Sequence, residues 1–278
     1  NMAERKIRKT VTGNPAVDGA GVRLTRVLGH DTVYDFDPFL MLDSFDSSDP
    51  RDYIAGFPLH PHRGIETVTY LIKGEMHHKD SLGNKGVIRS GQSQWMTAGS
   101  GILHEEMPQP AERLLGLQLW INLPKKDKMT HPRYFDITES MMGIKILDNA
   151  TVRVISGEFM GEKGVKTHHI VTEYYDVSLD SGSISIDTDP ENTVFIFQIL
   201  GDAEIHGRAL PEKTAALFGE GDTVTVAATN GSCRFMLLSA RPLNEEISWG
   251  GPIVMNTREE LQQAFAELKT GDFLKHRI

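Results

Sequence analysis

Short runs of β-branched and aromatic residues, each stopped by a glycine within about ten positions, most constrain what this chain can fold into. IETVTYLIK at 65–73 runs into Gly74, the cluster SLGNKG at 81–86 reads as a turn, Ser90-Gly91 as another, and QWMTAGSG at 94–101 passes from strand to loop. The same grammar returns in the second half: TVFIFQILG at 193–201, a turn near HGRAL, GEGDTVTVAATNG at 219–231 and CRFMLLSA at 233–240. Strands this short and closely spaced predict antiparallel barrels or sandwiches, and the shared order in the two halves predicts an internal duplication. A length of 278 residues suits two such cores.

The expected division is a first barrel over 2–134, a linker over 135–147 inside PRYFDITESMMGIKILD, and a second barrel over 148–278 that includes a terminal helix at about 257–270. For that helix, Thr257 with Glu260 forms a capping box, Leu261, Phe265 and Leu268 fall at helical spacing, and Gly271 fits the C-cap. Asn1 before Met2 is set aside as an added residue.

Cys233 is the only cysteine, which excludes an internal disulfide and a thiolate zinc site, so any metal must sit among histidines and carboxylates. The 29 basic and 38 acidic residues give a net charge of −9, which disfavours direct nucleic-acid binding. The densest basic cluster, Lys125, Lys126 and Lys128 beside Asp127, reads as a solvated loop. No stretch reaches the roughly 20 apolar residues of a membrane span and no secretory core is present, so a soluble cytoplasmic protein is expected.

His60-Pro61-His62 places two imidazoles at i and i+2, hence on one face of a strand, and His104 and Glu106 repeat that spacing just after the turn GSG. Two same-face pairs on adjacent strands would give one ion four N and O ligands. Such a set suits Fe(II), Ni(II), Cu(II), Mn(II), Co(II) or Zn(II), and leaves positions open for an organic chelator and dioxygen. For the carboxylate, Glu66 shares the face of His62 if the strand is uninterrupted, and parity with His104 favours Glu106 over Glu105. The adjacent pairs His77-His78 and His168-His169 point to opposite faces and are expected to be solvated; His30, His131, His206 and His276 are read as surface or satisfied residues. Arg63 is expected to be buried against Glu66 or a nearby Asp, and Trp95 and Met96 to be barrel core.

HPHRGIETVTYLIKG, GQSQWMTAGSGILHEEMP and RPLNEEISWGGPIVMNT, in that order along the whole chain, resemble the signature segments of the pirin family of the cupin superfamily. His60, His62, Glu66, Gly91 and His104 fit the general cupin pattern, with Thr97-Ala98-Gly99 where many cupins have Pro-x-Gly. The resemblance implies an all-β fold of two tandem cupin barrels (double-stranded β-helix, jelly roll) with a short C-terminal helix. It also implies iron as the usual metal, held by His60, His62, His104 and Glu106, with Glu66 left outside the ligand set. The second half, whose only histidine between 181 and 240 is His206, cannot repeat the site.

Several pirins resemble quercetin 2,3-dioxygenases, which open a flavonol with dioxygen and release carbon monoxide; this implies a flavonol-like chelating substrate and a catalytic role for Glu106 as ligand and base. Other pirins resemble non-catalytic, metal- and redox-dependent regulators that bind a transcription factor or a metabolic enzyme. A monomer is expected, because paired barrels can cover one another's apolar faces.

Overall fold

The computed structural model describes residues 3–278, so the reading of Asn1 and Met2 lies outside them. The chain divides into two compact units, and neither is contiguous in sequence.

The first unit comprises Asn14–Val33, Phe39–Thr138 and Leu243–Ile278. A seven-stranded antiparallel sheet runs in the order Arg133–Ile137, Ser93–Thr97, Ile65–Lys73, Leu114–Asn122, Phe39–Ser47, Val22–Leu28, Asn14–Asp18. A four-stranded sheet runs Phe57–His62, Ile102–Pro108, Glu75–Asp80, Lys85–Arg89. Leu114–Asn122, LLGLQLWIN, is buried at every position, as its central place and apolar sequence dictate.

The second unit comprises the residues up to Gly13, Tyr34–Pro38 and Glu139–Pro242. Its seven-stranded sheet runs Ile7–Thr12, Thr214–Phe218, Thr193–Leu200, Cys233–Ala240, Thr172–Leu179, Ala150–Ser156, Gly143–Ile146, and its four-stranded sheet Gly182–Asp187, Thr223–Ala228, Ala203–Ile205, Arg208–Leu210. Rank by rank, the two units repeat one strand order. Ile65–Lys73 and Thr193–Leu200, the two runs that opened the sequence comparison, occupy the same third place.

The contiguous boundaries at 2–134 and 148–278 are therefore corrected at both ends. Ile7–Thr12 pairs with Thr214–Phe218 and supplies the edge of the second unit's large sheet, the place that Arg133–Ile137 fills in the first. An unpaired edge exposes a row of backbone donors and acceptors, and the chain start covers it. At the other end, residues 243–278 pack with the first unit: Ile253, Met255, Ala264 and Phe273 form a buried cluster. The expected linker at 135–147 takes in the end of strand Arg133–Ile137, a single 3-10 turn at Glu139–Met141 and strand Gly143–Ile146.

The helix spans Arg258–Thr270, with both bonds of the Thr257/Glu260 capping box formed and Gly271 at φ 83 closing it. Leu261 and Leu268 pack on the cluster beneath, whereas Phe265 is exposed. Among the described residues no helix is long and apolar enough to cross a membrane.

Candidate metal centre

The register of two neighbouring strands builds the site. His104 lies directly opposite His60, and Ile102 opposite His62, so alternation along each strand turns all three imidazoles to one side of the small sheet. A bulge between His104 and Glu106 brings Glu106 opposite Phe57. The ligand nitrogens of His60, His62 and His104 lie within 4.8 Å of one another. Glu106 stands outside that compact triplet, yet its Oε1 is 3.4 Å from His104 Nε2. His62, His104 and Glu106 are all buried, while His60 is partly exposed.

His62 and His104 are poised as neutral donors. His60 Nδ1–H donates to the Pro58 carbonyl at 2.8 Å and His62 Nδ1–H to the Pro252 carbonyl at 3.1 Å; since a carbonyl only accepts, each Nε2 is left with its lone pair. Burial, reinforced by the neighbouring His60, pulls His62 down to about 3. Burial, then His62 and His60, holds His104 well below its ordinary value. His104 is 2% exposed, and neither of its ring nitrogens has a hydrogen-bond partner. An orphaned buried polar group costs about 1–3 kcal/mol, a penalty that coordination of a cation would relieve. The donor set of three imidazoles and a carboxylate thus fits a divalent transition ion.

The carboxylate of Glu106 is fixed by residues the sequence reading did not single out. Gln118 Nε2 donates to Oε1 at 3.0 Å and to Oε2 at 2.9 Å, and Thr69 Oγ1 donates to Oε2 at 3.2 Å. Gln118 carried a signal: it is the one polar residue amid the apolar run LLGLQLWI.

Glu66 does not share the face of His62, because the strand ends there and Gly64, at φ 83, turns the chain into the other sheet; a Cβ at Gly64 would lie 1.9 Å from the Val254 carbonyl oxygen. Glu66 instead accepts bonds from Trp95 Nε1 at 3.2 Å and Thr97 Oγ1 at 2.6 Å. Glu105 faces away, 3.4 Å from Lys79 Nζ. Trp95 and Met96 are buried core, as expected. Arg63 is buried, but its partners are Glu267 at 2.8 Å, the Ser100 and Phe273 carbonyls, and the Phe273 ring.

His78 is corrected from solvated to buried: it lies opposite Glu106 across the strand pair and meets the Tyr134 hydroxyl at 2.7 Å, while His77 is exposed. Lys128 is corrected likewise. It is 2% exposed and donates from Nζ to the Gly64 and Val254 carbonyls and to Asn122 Oδ1, and burial pulls it down to about 7.

Beside the histidines opens a cavity of about 610 Å³, within the range that holds a small organic molecule. His60, His62 and Gln118 line it together with Met41, Phe57, Leu59, Trp120 and Trp249. Trp120 sits edge-on to His62 at 5.1 Å, and His30 stacks on Trp249 at 3.8 Å.

Comparison with known proteins matches this architecture. Residues 21–121 match the family described as Pirin, and residues 174–274 match the Pirin C-terminal cupin domain. The chain is 42% identical to a pirin-like protein of Caulobacter vibrioides over 98% of this chain and 100% of that one. It is 39% identical to human pirin over 96% and 93%. The crystal structure of a quercetin 2,3-dioxygenase from Acinetobacter baumannii superposes with a TM-score of 0.90 at 33% identity, covering 98% and 99% of the two chains. Two repeated β units, a histidine triplet found among the described residues in the first of them, and matches to both halves of one family lead to a single assignment: the chain belongs to the pirin family and has its tandem cupin fold.

Proposed function

We propose that this chain is a metal-dependent dioxygenase of the pirin type, holding one divalent ion, Fe(II) by expectation, with His60, His62, His104 and Glu106, and opening a flavonol such as quercetin with dioxygen. The carrying observation is the close triplet of histidines, two of which, His60 and His62, line a cavity of about 610 Å³ that has Trp120 and Trp249 in its wall. Likeness to the Acinetobacter quercetin 2,3-dioxygenase supports the substrate class. The chemistry a bound ion supplies here is Lewis-acid stabilisation of an enolate and, for iron, reactivity toward dioxygen.

The chain's own residues do the rest. Trp120, Trp249 and Met41 offer apolar surface to a flat ring and keep bulk water from the reacting edge. Glu106 receives the proton of the flavonol 3-hydroxyl, and Gln118 and Thr69 keep its carboxylate from swinging away. The hydrogen bonds to Pro58 and Pro252 hold the His60 and His62 rings in one tautomer. In the net reaction both oxygen atoms enter the ring-opened product and the carbon that bore the 3-hydroxyl leaves as carbon monoxide.

The second reading is a metal- and redox-dependent regulator without turnover, supported by the 39% identity to human pirin. A cavity of small-molecule size supports the enzymatic reading instead. The test is anaerobic reconstitution with Fe(II) followed by quercetin consumption under dioxygen, in the parent, Glu106→Gln and His60→Ala proteins, with metal content assayed in each. Turnover in the parent that collapses in both variants is expected; bound iron with no turnover overturns the enzymatic reading in favour of the regulatory one.

A further inference from the structure

Asp18 and Arg26 line the same cavity as His60 and His62, and nothing in the proposed chemistry uses them. Their geometry is a relay. Arg26 binds Asp43 through two bonds, Nε to Oδ1 and NH2 to Oδ2, each 2.9 Å, and Asp43 is only 2% exposed. With the guanidinium pinned from behind, NH2 also donates to Asp18 Oδ2 at 2.8 Å, while the Gly19 amide donates to Asp18 Oδ1 at 2.7 Å. Two bonds thus fix the Asp18 carboxylate, whose side chain is 49% exposed, and its remaining lone pairs are available to a cavity ligand. Two carboxylates, Asp18 and the buried Asp43, thus share the one guanidinium of Arg26, and of the three groups Asp18 and Arg26 line the cavity.

We propose that Asp18 is the specificity residue of the cavity: it accepts a hydrogen bond from a phenolic hydroxyl remote from the substrate's metal-chelating edge, and it excludes aromatic substrates bearing a carboxylate. The inference rests on the dioxygenase reading for the identity of the chelating edge. Its ligand class is an uncharged, flat, polyhydroxylated aromatic. A hydroxyl on a fixed carboxylate makes a charge-assisted bond, worth roughly tenfold in affinity, and a second carboxylate there meets the like charge of Asp18, whose guanidinium partner is already shared with Asp43. Burial opposes ionisation of Asp18, but the bonds from Arg26 and the Gly19 amide outweigh it and hold the carboxyl below its ordinary range. Asp18 is therefore charged at neutral pH.

The test is binding, read by quenching of tryptophan fluorescence in the Fe(II)-loaded protein without oxygen, so that no turnover intervenes. The probes are quercetin, 3-hydroxyflavone (which keeps only the chelating edge) and a 3-hydroxyflavone carrying a ring carboxylate. The parent is expected to bind quercetin roughly tenfold tighter than 3-hydroxyflavone and the carboxylated compound weakest of the three. Asp18→Ala should abolish the preference for quercetin and admit the carboxylate. Asp18→Asn should admit the carboxylate while restoring part of the quercetin preference, since its amide oxygen still accepts a bond. Equal affinities in the parent, an unchanged ranking in Asp18→Ala, or no binding of quercetin overturns the proposal. Admitting air then separates the two ideas. An Asp18-dependent ranking without quercetin loss sinks the dioxygenase reading and leaves this one standing, whereas turnover with an Asp18-independent ranking does the reverse.

Discussion

The small sheets of the two units use the same strand order for opposite ends. In the first unit, strands Phe57–His62 and Ile102–Pro108 turn His60, His62, His104 and Glu106 to one side. In the second, the strands of equal rank, Gly182–Asp187 and Thr223–Ala228, place Ile184 opposite Val226 and Ile186 opposite Val224, all buried in one apolar cluster with Ile205, Leu210 and Phe235. Strand order is common to both, and side-chain chemistry decides whether the facing side chains form a packed apolar core or a set of potential metal donors. The polar interior carries a cost in unpartnered atoms at His104, and the apolar one buries its side chains without that cost.

Breaking this contrast should have graded effects. In the second unit Phe235 is fully buried, so Phe235→Ala should lower stability by about 3–5 kcal/mol in chemical denaturation, with the metal content of the folded fraction unchanged. In the first unit, His104→Ala should weaken metal binding by more than about 100-fold in a competition titration, yet leave the metal-free protein as stable as the parent or more so, because an unsatisfied buried ring is removed.

Acid sharpens the contrast in another way. His62 and His104 stay neutral in the fold well below the ordinary 6.5, whereas the unfolded chain takes up protons there. The unfolded state binds more protons in that window, so stability of the metal-free protein should be lost as pH falls below about 6.5, at about 1.4 kcal/mol per pH unit for His62 down to about 3, with His104 acting in the same direction. A denaturation series across that range checks it, and the double variant His62→Phe/His104→Leu should flatten the slope. The mildest change concerns the carboxylate's support: Gln118→Ala should reduce metal affinity about tenfold while leaving the histidine triplet in place.

The grouping of His60, His62 and His104, with Glu106 beside them, was legible because it obeys a local rule: alternation within a strand puts i and i+2 on one face, and both HPH and HEE sit in strands that keep it. Glu66 escaped that rule because Gly64 breaks the strand between it and His62, a turn visible only once the Val254 carbonyl is seen pressing on Gly64. Lys128 looked solvated among its charged neighbours; its three oxygen acceptors come from residues 64, 122 and 254, far apart in sequence. The same holds for Ile7–Thr12, whose partner strand lies some two hundred residues away, and for Pro252 and Trp249, which reach the site from the chain's last segment. Local periodicity reveals faces, and only the fold reveals which distant faces meet.

The central claim is that a single ion sits among these four side chains. Anomalous diffraction at the iron edge, from crystals of protein reconstituted anaerobically with Fe(II), tests it most directly. The account predicts one strong peak per chain, bounded by Nε2 of His60, His62 and His104 and by the Glu106 carboxylate. A peak elsewhere, or none in protein that has demonstrably taken up iron, would contradict it.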